Sequence, residues 1–167
     1  MPRVRFATAL GPCALAWEGD RVTGFALPGG DAPEPGAPEA WPPGTPDWVR
    51  ALAGRVQRHL AGELQDFTDV PLADADQPAF ARRVYAAARR IPAGTARTYG
   101  ELAAALGEPP AAARAVGAAL GANPWPLLVP CHRVVGAHGR LTGFSAPGGV
   151  RTKARLLAIE GHQLLAE

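Results

Sequence analysis

Residues 98–123, TYGELAAALGEPPAAARAVGAALGAN, carry the pattern on which the fold turns. Thr98 with Glu101 three positions on is a capping box, the signal of a helix start, and Gly107 is the matching stop. Glu108–Pro110 makes a tight turn, and Ala111–Asn123 reads as a second short helix ended by Gly121 and Asn123. Two short helices joined by a few residues predict a helix-turn-helix, although many such hairpins bind no DNA. The second helix offers Ala112, Ala113, Arg114, Ala115 and Gly117 where a reader of major-groove base edges carries a row of Arg, Asn, Gln or Lys. Small side chains let a backbone approach something narrow, and one long arginine among them can wedge into a base stack, which suits minor-groove binding. A tightly packed core helix would use alanine and glycine equally well.

Working upstream, Phe80, Val84 and Ala88 share one helical face and Arg82, Arg83, Arg89 and Arg90 surround the other, with Ile91–Gly94 as the stop. Asp47–Leu60 has helical spacing, with Val49, Leu52, Val56 and Leu60 on one side, while Phe67 and Val70 suit an edge strand. Val4–Thr8, Ala14–Trp17 and Val22–Ala26 are short strand-prone runs, the last two joined by a hairpin at Glu18–Asp20. Residues 28–46 are too rich in proline and glycine for any regular element and read as a loop. The chain of 167 residues thus divides into a small α/β part, 1–77, and a helical part, 78–167.

Composition narrows the function. Of the residues, 47% are apolar and 19% charged, as in a folded globular protein, and no run approaches about 18 uninterrupted apolar residues. Residues 1–78 hold six arginines against eleven acidic residues, while 79–167 hold eleven basic against four acidic. That asymmetry suits polyanion binding by the second half, and arginine-rich composition from a GC-rich genome would also produce it. The N-terminus has no apolar stretch of signal length, so a reducing cytoplasm and free thiols are expected for the two cysteines, Cys13 and Cys131. No close-spaced Cys/His cluster suggests a metal, and no cofactor is expected. His59 and His138 read as surface residues.

Cys131 stands apart from Cys13, whose surroundings suit a buried, inert thiol. In PLLVPCHRV, Pro126–Val134, a proline precedes it, and a proton carrier and a cation follow as His132 and Arg133. A thiolate is the nucleophilic form of cysteine, and such neighbours favour it. Adjacent side chains on a strand face opposite ways, so Cys131 and His132 can cooperate only if the chain turns there or a water bridges them.

From Pro78 to His162 the chain resembles the O6-alkylguanine-DNA alkyltransferases, in RIPAGTARTYGELAAALG, ARAVGAALGANP, PCHRVVG, the Gly139–Phe144 segment and KARLLAIEG, in that order. The resemblance implies an α+β protein: a small ribonuclease H-like α/β domain over 1–77, then an all-helical winged-helix-like domain over 78–167 with a helix-turn-helix and an active-site loop. It implies a monomeric, cytoplasmic, single-turnover enzyme, nucleoid-associated when bound to DNA. Its partner would be double-stranded DNA containing O6-alkylguanine, with O4-alkylthymine as a further substrate.

Carried over by residue, Cys131 would be the permanent alkyl acceptor. His132 would pass on its proton through a water, Glu160 would hold that histidine, and Asn123 would brace the site. Tyr99 would donate to N3 of the departing guanine and help the base rotate out, and Arg114 would fill the vacated place in the stack. Ala113, Ala115 and Gly117 beside it, with Arg133, Val134, Phe144 and Ser145, would contact DNA or the flipped base, Ser145 at the released O6. Phe144 replaces a common tyrosine, Trp125 is bulkier than the usual aliphatic, and the 145–149 loop is longer than usual; all three bear on alkyl-size preference. The alternative reading is an alkyltransferase-like protein that binds lesions without transfer, and Cys131 argues against it.

Overall fold

The computed structural model describes residues 2–28, 41–141 and 149–162. Three strands, β1 (Arg3–Phe6), β2 (Cys13–Glu18) and β3 (Arg21–Ala26), form an antiparallel meander in sequence order. Gly19 supplies the left-handed residue (φ 60°) of the β2–β3 turn, a conformation costly for a residue with a Cβ. Val4, Phe6, Leu15, Trp17, Val22 and Phe25 are buried, and α1 (Asp47–Leu60) contributes Val49, Leu52, Ala53, Val56 and Leu60 to the same core. The loop expected at 28–46 falls largely on residues 29–40, outside the described residues.

Phe67 and Val70 do not form the expected edge strand. Both are buried in an irregular segment, and the extended pairing falls on Leu72, which bridges Val22 in parallel. Arg89 holds that segment, its Nη2 donating to the carbonyls of Phe67 (2.7 Å) and Val70 (2.8 Å). An arginine read as exposed thus replaces the ladder bonds a strand would have supplied.

In the second half, α2 (Ala79–Arg89) packs on the pair α3 (Tyr99–Ala105) and α4 (Ala113–Gly121). The capping box is present: Glu101 N–H donates to Thr98 Oγ1 and Thr98 N–H to Glu101 Oε1, each at 3.0 Å. A 3₁₀ turn at Pro110–Ala112 leads into α4, and Tyr85 Oη donates to the Ala119 carbonyl (2.8 Å), fixing α4 against α2. The half is not all-helical. β4 (Arg97–Thr98) pairs in parallel with β5 (Val134–Val135), setting the start of α3 beside the segment after Cys131. The last element among the described residues is α5 (Gly149–Ile159). The whole is a mixed helix-and-sheet protein with a small sheet, and among the described residues no helix is long and apolar enough to cross a membrane.

Backbone and indole bonds join the halves. Phe25 N–H donates to the Pro124 carbonyl (3.0 Å), and the buried Trp125 donates its Nε1–H to the Val22 carbonyl (2.9 Å), which also accepts from Ala73 N–H. Trp125 stacks edge-on to Tyr85, ring centroids 6.0 Å apart, so its bulk serves the seam between sheet and helices. Trp125→Phe removes the bond and part of the ring. Urea unfolding should show a loss of about 1–3 kcal/mol, while an unchanged midpoint would mean that Trp125 does not anchor the loop.

Candidate active site

The chain between Asn123 and Cys131 is a series of tight turns imposed by prolines at 124, 126 and 130. Asn123 organises it: Trp125 N–H donates to its Oδ1 (2.9 Å), and its Nδ2 donates to the Val129 carbonyl (3.0 Å). Leu127 takes a left-handed φ of 78°, unusual for a leucine, while Val129 N–H donates to the Trp125 carbonyl (2.8 Å) and Cys131 N–H to the Val129 carbonyl (2.7 Å). This framework delivers Cys131 into a 3₁₀ turn, Cys131–Arg133, so thiol and imidazole are not on opposite faces of a strand. Cys131 is 7% exposed and His132 fully buried. Burial pushes the Cys131 thiol above its ordinary value; the Asn123 side chain, the Lys153 ammonium and nearby backbone N–H groups pull the other way.

Behind the cysteine sits Glu160, 3% exposed, just past α5. Arg133 grips both its oxygens, Nε donating to Oε1 (2.8 Å) and Nη2 to Oε2 (2.7 Å), and sends Nη1 to the Ile91 carbonyl (2.6 Å). His132 Nε2 lies 3.0 Å from Oε1, within ion-pair distance but too poorly aligned for a formal hydrogen bond, and its Nδ1 has no partner among the described residues. Burial alone would raise the Glu160 carboxyl, but the bonds from Arg133 and His59, with the close polar contact to His132, outweigh it and hold the group well below the usual carboxylate range. Burial also lowers the pKa of His132, against the pull of Glu160, leaving its imidazole neutral at physiological pH.

Two expectations change here. Arg133, expected at the DNA, is 6% exposed with its guanidinium committed to Glu160 and the Ile91 carbonyl, so it cannot also reach a phosphate. His59, read as a surface residue, is fully buried, its Nε2 2.8 Å from Glu160 Oε2. Its spacing from Leu52 and Val56 on the apolar face of α1 was the available signal. His138 is on the surface, as expected.

Tyr99 stands at the start of α3 and is half-buried. Gly117 of α4 faces it: a Cβ there would sit 3.8 Å from the Tyr99 ring. Arg114 and Ala115 are exposed on α4, Ala113 is half-buried, and Val134 is buried in β5. Phe144 and Ser145 lie outside the described residues. The sequence reading missed Lys153, fully buried, with Nζ 3.5 Å from Tyr99 Oη and 5.7 Å from the Tyr99 ring centroid. Burial pulls its ammonium down to about 8, while Cys131 opposes the shift. Its place on the face of α5 shared by Leu156, Leu157 and the following Glu160 could have flagged it. Among the described residues no group of three His, Cys, Asp or Glu is placed to hold a metal ion.

Residues 79–162, which contain every side chain of this cluster except His59, match the family described as 6-O-methylguanine DNA methyltransferase, DNA binding domain. A methylated-DNA–protein-cysteine methyltransferase of Mycolicibacterium paratuberculosis is 46% identical over 128 residues, 73% of this chain and 74% of that protein. One from Methanosarcina acetivorans is 39% identical over 158 residues, 93% of this chain and 96% of that protein. Among solved structures, Mycobacterium tuberculosis OGT in complex with DNA superposes with a TM-score of 0.75 at 38% identity, covering 95% of this chain and 92% of that one.

The buried cluster dictates acid behaviour. His132 binds its proton less readily in the fold than in the unfolded chain, so stability is lost as pH falls through the ordinary histidine value of 6.5. Glu160 is likewise harder to protonate in the fold; its stabilisation is complete above 4.5 and drains away as pH falls below it. Denaturation at a series of pH values should show both declines. Glu160→Gln should flatten the lower one while costing about 3–5 kcal/mol at neutral pH, because Arg133 is left buried without a counter-charge. A variant with an unchanged acid profile would contradict this assignment.

Proposed function

The chain belongs to the family of methylated-DNA–protein-cysteine methyltransferases, and from that premise we propose that the Cys131 sulfur takes the alkyl carbon from O6 of guanine and keeps it. The activity is direct repair of alkylated DNA, and DNA is the partner. What carries the residue assignment is one junction: a slightly exposed thiol in a tight turn, followed by a buried neutral imidazole beside an ionised carboxylate.

In this reading the thiol proton passes through a water to His132 Nδ1, and Glu160 stabilises the imidazolium that forms. The thiolate attacks the alkyl carbon; the C–S bond forms as the C–O6 bond breaks, and the electron pair leaves with guanine. Tyr99 donates toward N3 and Ser145 toward O6, so the base departs neutral. The purine gains its proton from Tyr99, the proton held by the His132 imidazolium returns to the tyrosinate through solvent, and a thioether remains that nothing reverses, so each molecule acts once. Asn123 holds the turn that presents the sulfur.

The target carbon is hidden in stacked DNA, so the nucleotide must rotate out at a cost of about a few kcal/mol. The exposed Arg114, between Ala113 and Ala115, is the wedge that offsets the lost stacking as α4 enters the minor groove. Gly117 leaves room for the Tyr99 ring; Phe144 is assigned to the flipped base by the resemblance alone, and Val134, fully buried in β5, can only back that place from within the core. Residues 78–167 form the winged-helix-like DNA-binding half, a reading supported by α2 packed on the α3–α4 pair, and 1–77 the ribonuclease H-like scaffold. Lesion binding without transfer is disfavoured because the acceptor sulfur is present.

Incubation with a duplex oligonucleotide containing O6-methylguanine should add the mass of one methylene to the Cys131 peptide. Cys131→Ser should leave the lesion intact, and repair by that variant would overturn the assignment. Arg114→Ala should slow transfer from duplex by about tenfold or more, read by quenched-flow, as part of the flipping cost goes uncompensated. Binding should weaken steeply with salt, as expected for a basic half displacing counterions, and a flat dependence would contradict phosphate-led binding.

A further inference from the structure

Glu160 receives a bond that originates outside the matched family segment. His59, on the last turn of α1, is 101 residues away in sequence, yet its Nε2 lies 2.8 Å from Glu160 Oε2, with both side chains fully buried. The other ring nitrogen settles which way the bond runs. Gln65 N–H donates to His59 Nδ1 at 2.9 Å, so Nδ1 is the acceptor and the ring proton of the neutral imidazole resides on Nε2, aimed at the carboxylate. The Phe67 ring, its centroid 5.3 Å away at 54°, walls off the imidazole.

We propose that His59 is a positioning residue for alkyl transfer: its Nε2–H holds Glu160 Oε2, which leaves Oε1 facing His132. Arg133 cannot do this alone. Its two parallel bonds fix the carboxylate in the guanidinium plane but leave the rim of Oε2 open, and Glu160 closes a helix that ends at once in the left-handed Gly161 (φ 83°). His59 occupies that rim. The groups facing Glu160 are then His59 from α1 and His132 and Arg133 from the 3₁₀ turn, with its backbone carbonyl against Gly94, where a Cβ would come within 3.0 Å. The first part of the chain thereby takes part in the chemistry of the second. The inference rests on the alkyl-transfer reading of Cys131.

The test compares full-length wild type, His59→Leu and His59→Gln in single-turnover transfer from saturating O6-methylguanine duplex, with duplex affinity and folded fraction measured alongside. Leucine removes both bonds; glutamine can accept from Gln65 with its oxygen and donate to Glu160 with its nitrogen. His59→Leu should lose about 10- to 100-fold in the saturated rate at unchanged affinity, the scale of a misplaced catalytic group. The acid limb of its pH–rate profile should move to lower pH, because His132 loses the carboxylate that favours its protonated form, and His59→Gln should restore both rate and profile. A purely structural cross-link would leave the profile of folded molecules where wild type has it. A wild-type rate in His59→Leu, or a His59→Gln as slow as His59→Leu, would overturn the proposal. Should His59→Leu fail to fold, the ¹⁵N spectrum of the wild-type imidazole decides: a proton on Nε2 is required, and one on Nδ1 overturns it. Failure of wild type to acquire a methyl would instead sink the transfer reading, leaving that nitrogen signature in place.

Discussion

One carboxylate, shut away from water, governs this molecule. Removing an ion from solvent costs several kcal/mol, and the cost is met only when every lone pair finds a good donor. Glu160 draws such donors from a bidentate guanidinium of Arg133 and an imidazole of His59, and His132 adds a contact at ion-pair distance. Those donors come from the end of α1 and from the turn that carries Cys131, so the carboxylate ties the helical face of the first half to that turn of the second. Arg133 extends the tie to the Ile91 carbonyl at the end of α2.

The same frame explains why the sulfur is held still. The segment from Pro124 to Pro130 has no regular element to stiffen it, and three devices take that role. Trp125 reaches across to the Val22 carbonyl, Asn123 bridges Trp125 and Val129, and Leu127 accepts a left-handed backbone that closes the turn. In the proposed reaction the sulfur acts once and gains nothing from mobility. It gains from having its attack line fixed before the base arrives, since alignment supplies a large part of a displacement rate. Lys153, buried beside Tyr99, adds positive charge that opposes the rise burial imposes on the Cys131 thiol.

Much of this was legible in the chain because it is local. The capping box at Thr98 and Glu101, the hairpin after Glu18 and the apolar stripe of α1 depend on residues a few positions apart, and each is where spacing puts it. PCHRV marked the turn to which the reaction is assigned in the proposal. The misses share a different character. His59 and Arg133 were given to surface and DNA because a polar side chain is exposed by default, and their partner lies 101 and 27 residues away. Phe67 and Val70 looked like a strand because burial and β-propensity coincide, but Arg89 supplies their backbone bonds, and Leu72 took the pairing. The β4–β5 pair has two residues in each strand, too few for any alternation to show.

Charge and position can be separated at the central group. Glu160→Asp keeps the anion for Arg133 but withdraws it by one methylene from His132 and His59. The most direct measurement is the saturated single-turnover rate of methyl transfer to Cys131 in this variant, with folded fraction and duplex affinity matched to wild type. A fall of about 10- to 100-fold at unchanged affinity is the expected result for a carboxylate whose placement drives the histidine. Transfer at the wild-type rate would contradict it, and would mean that Cys131 reacts without the buried network behind it.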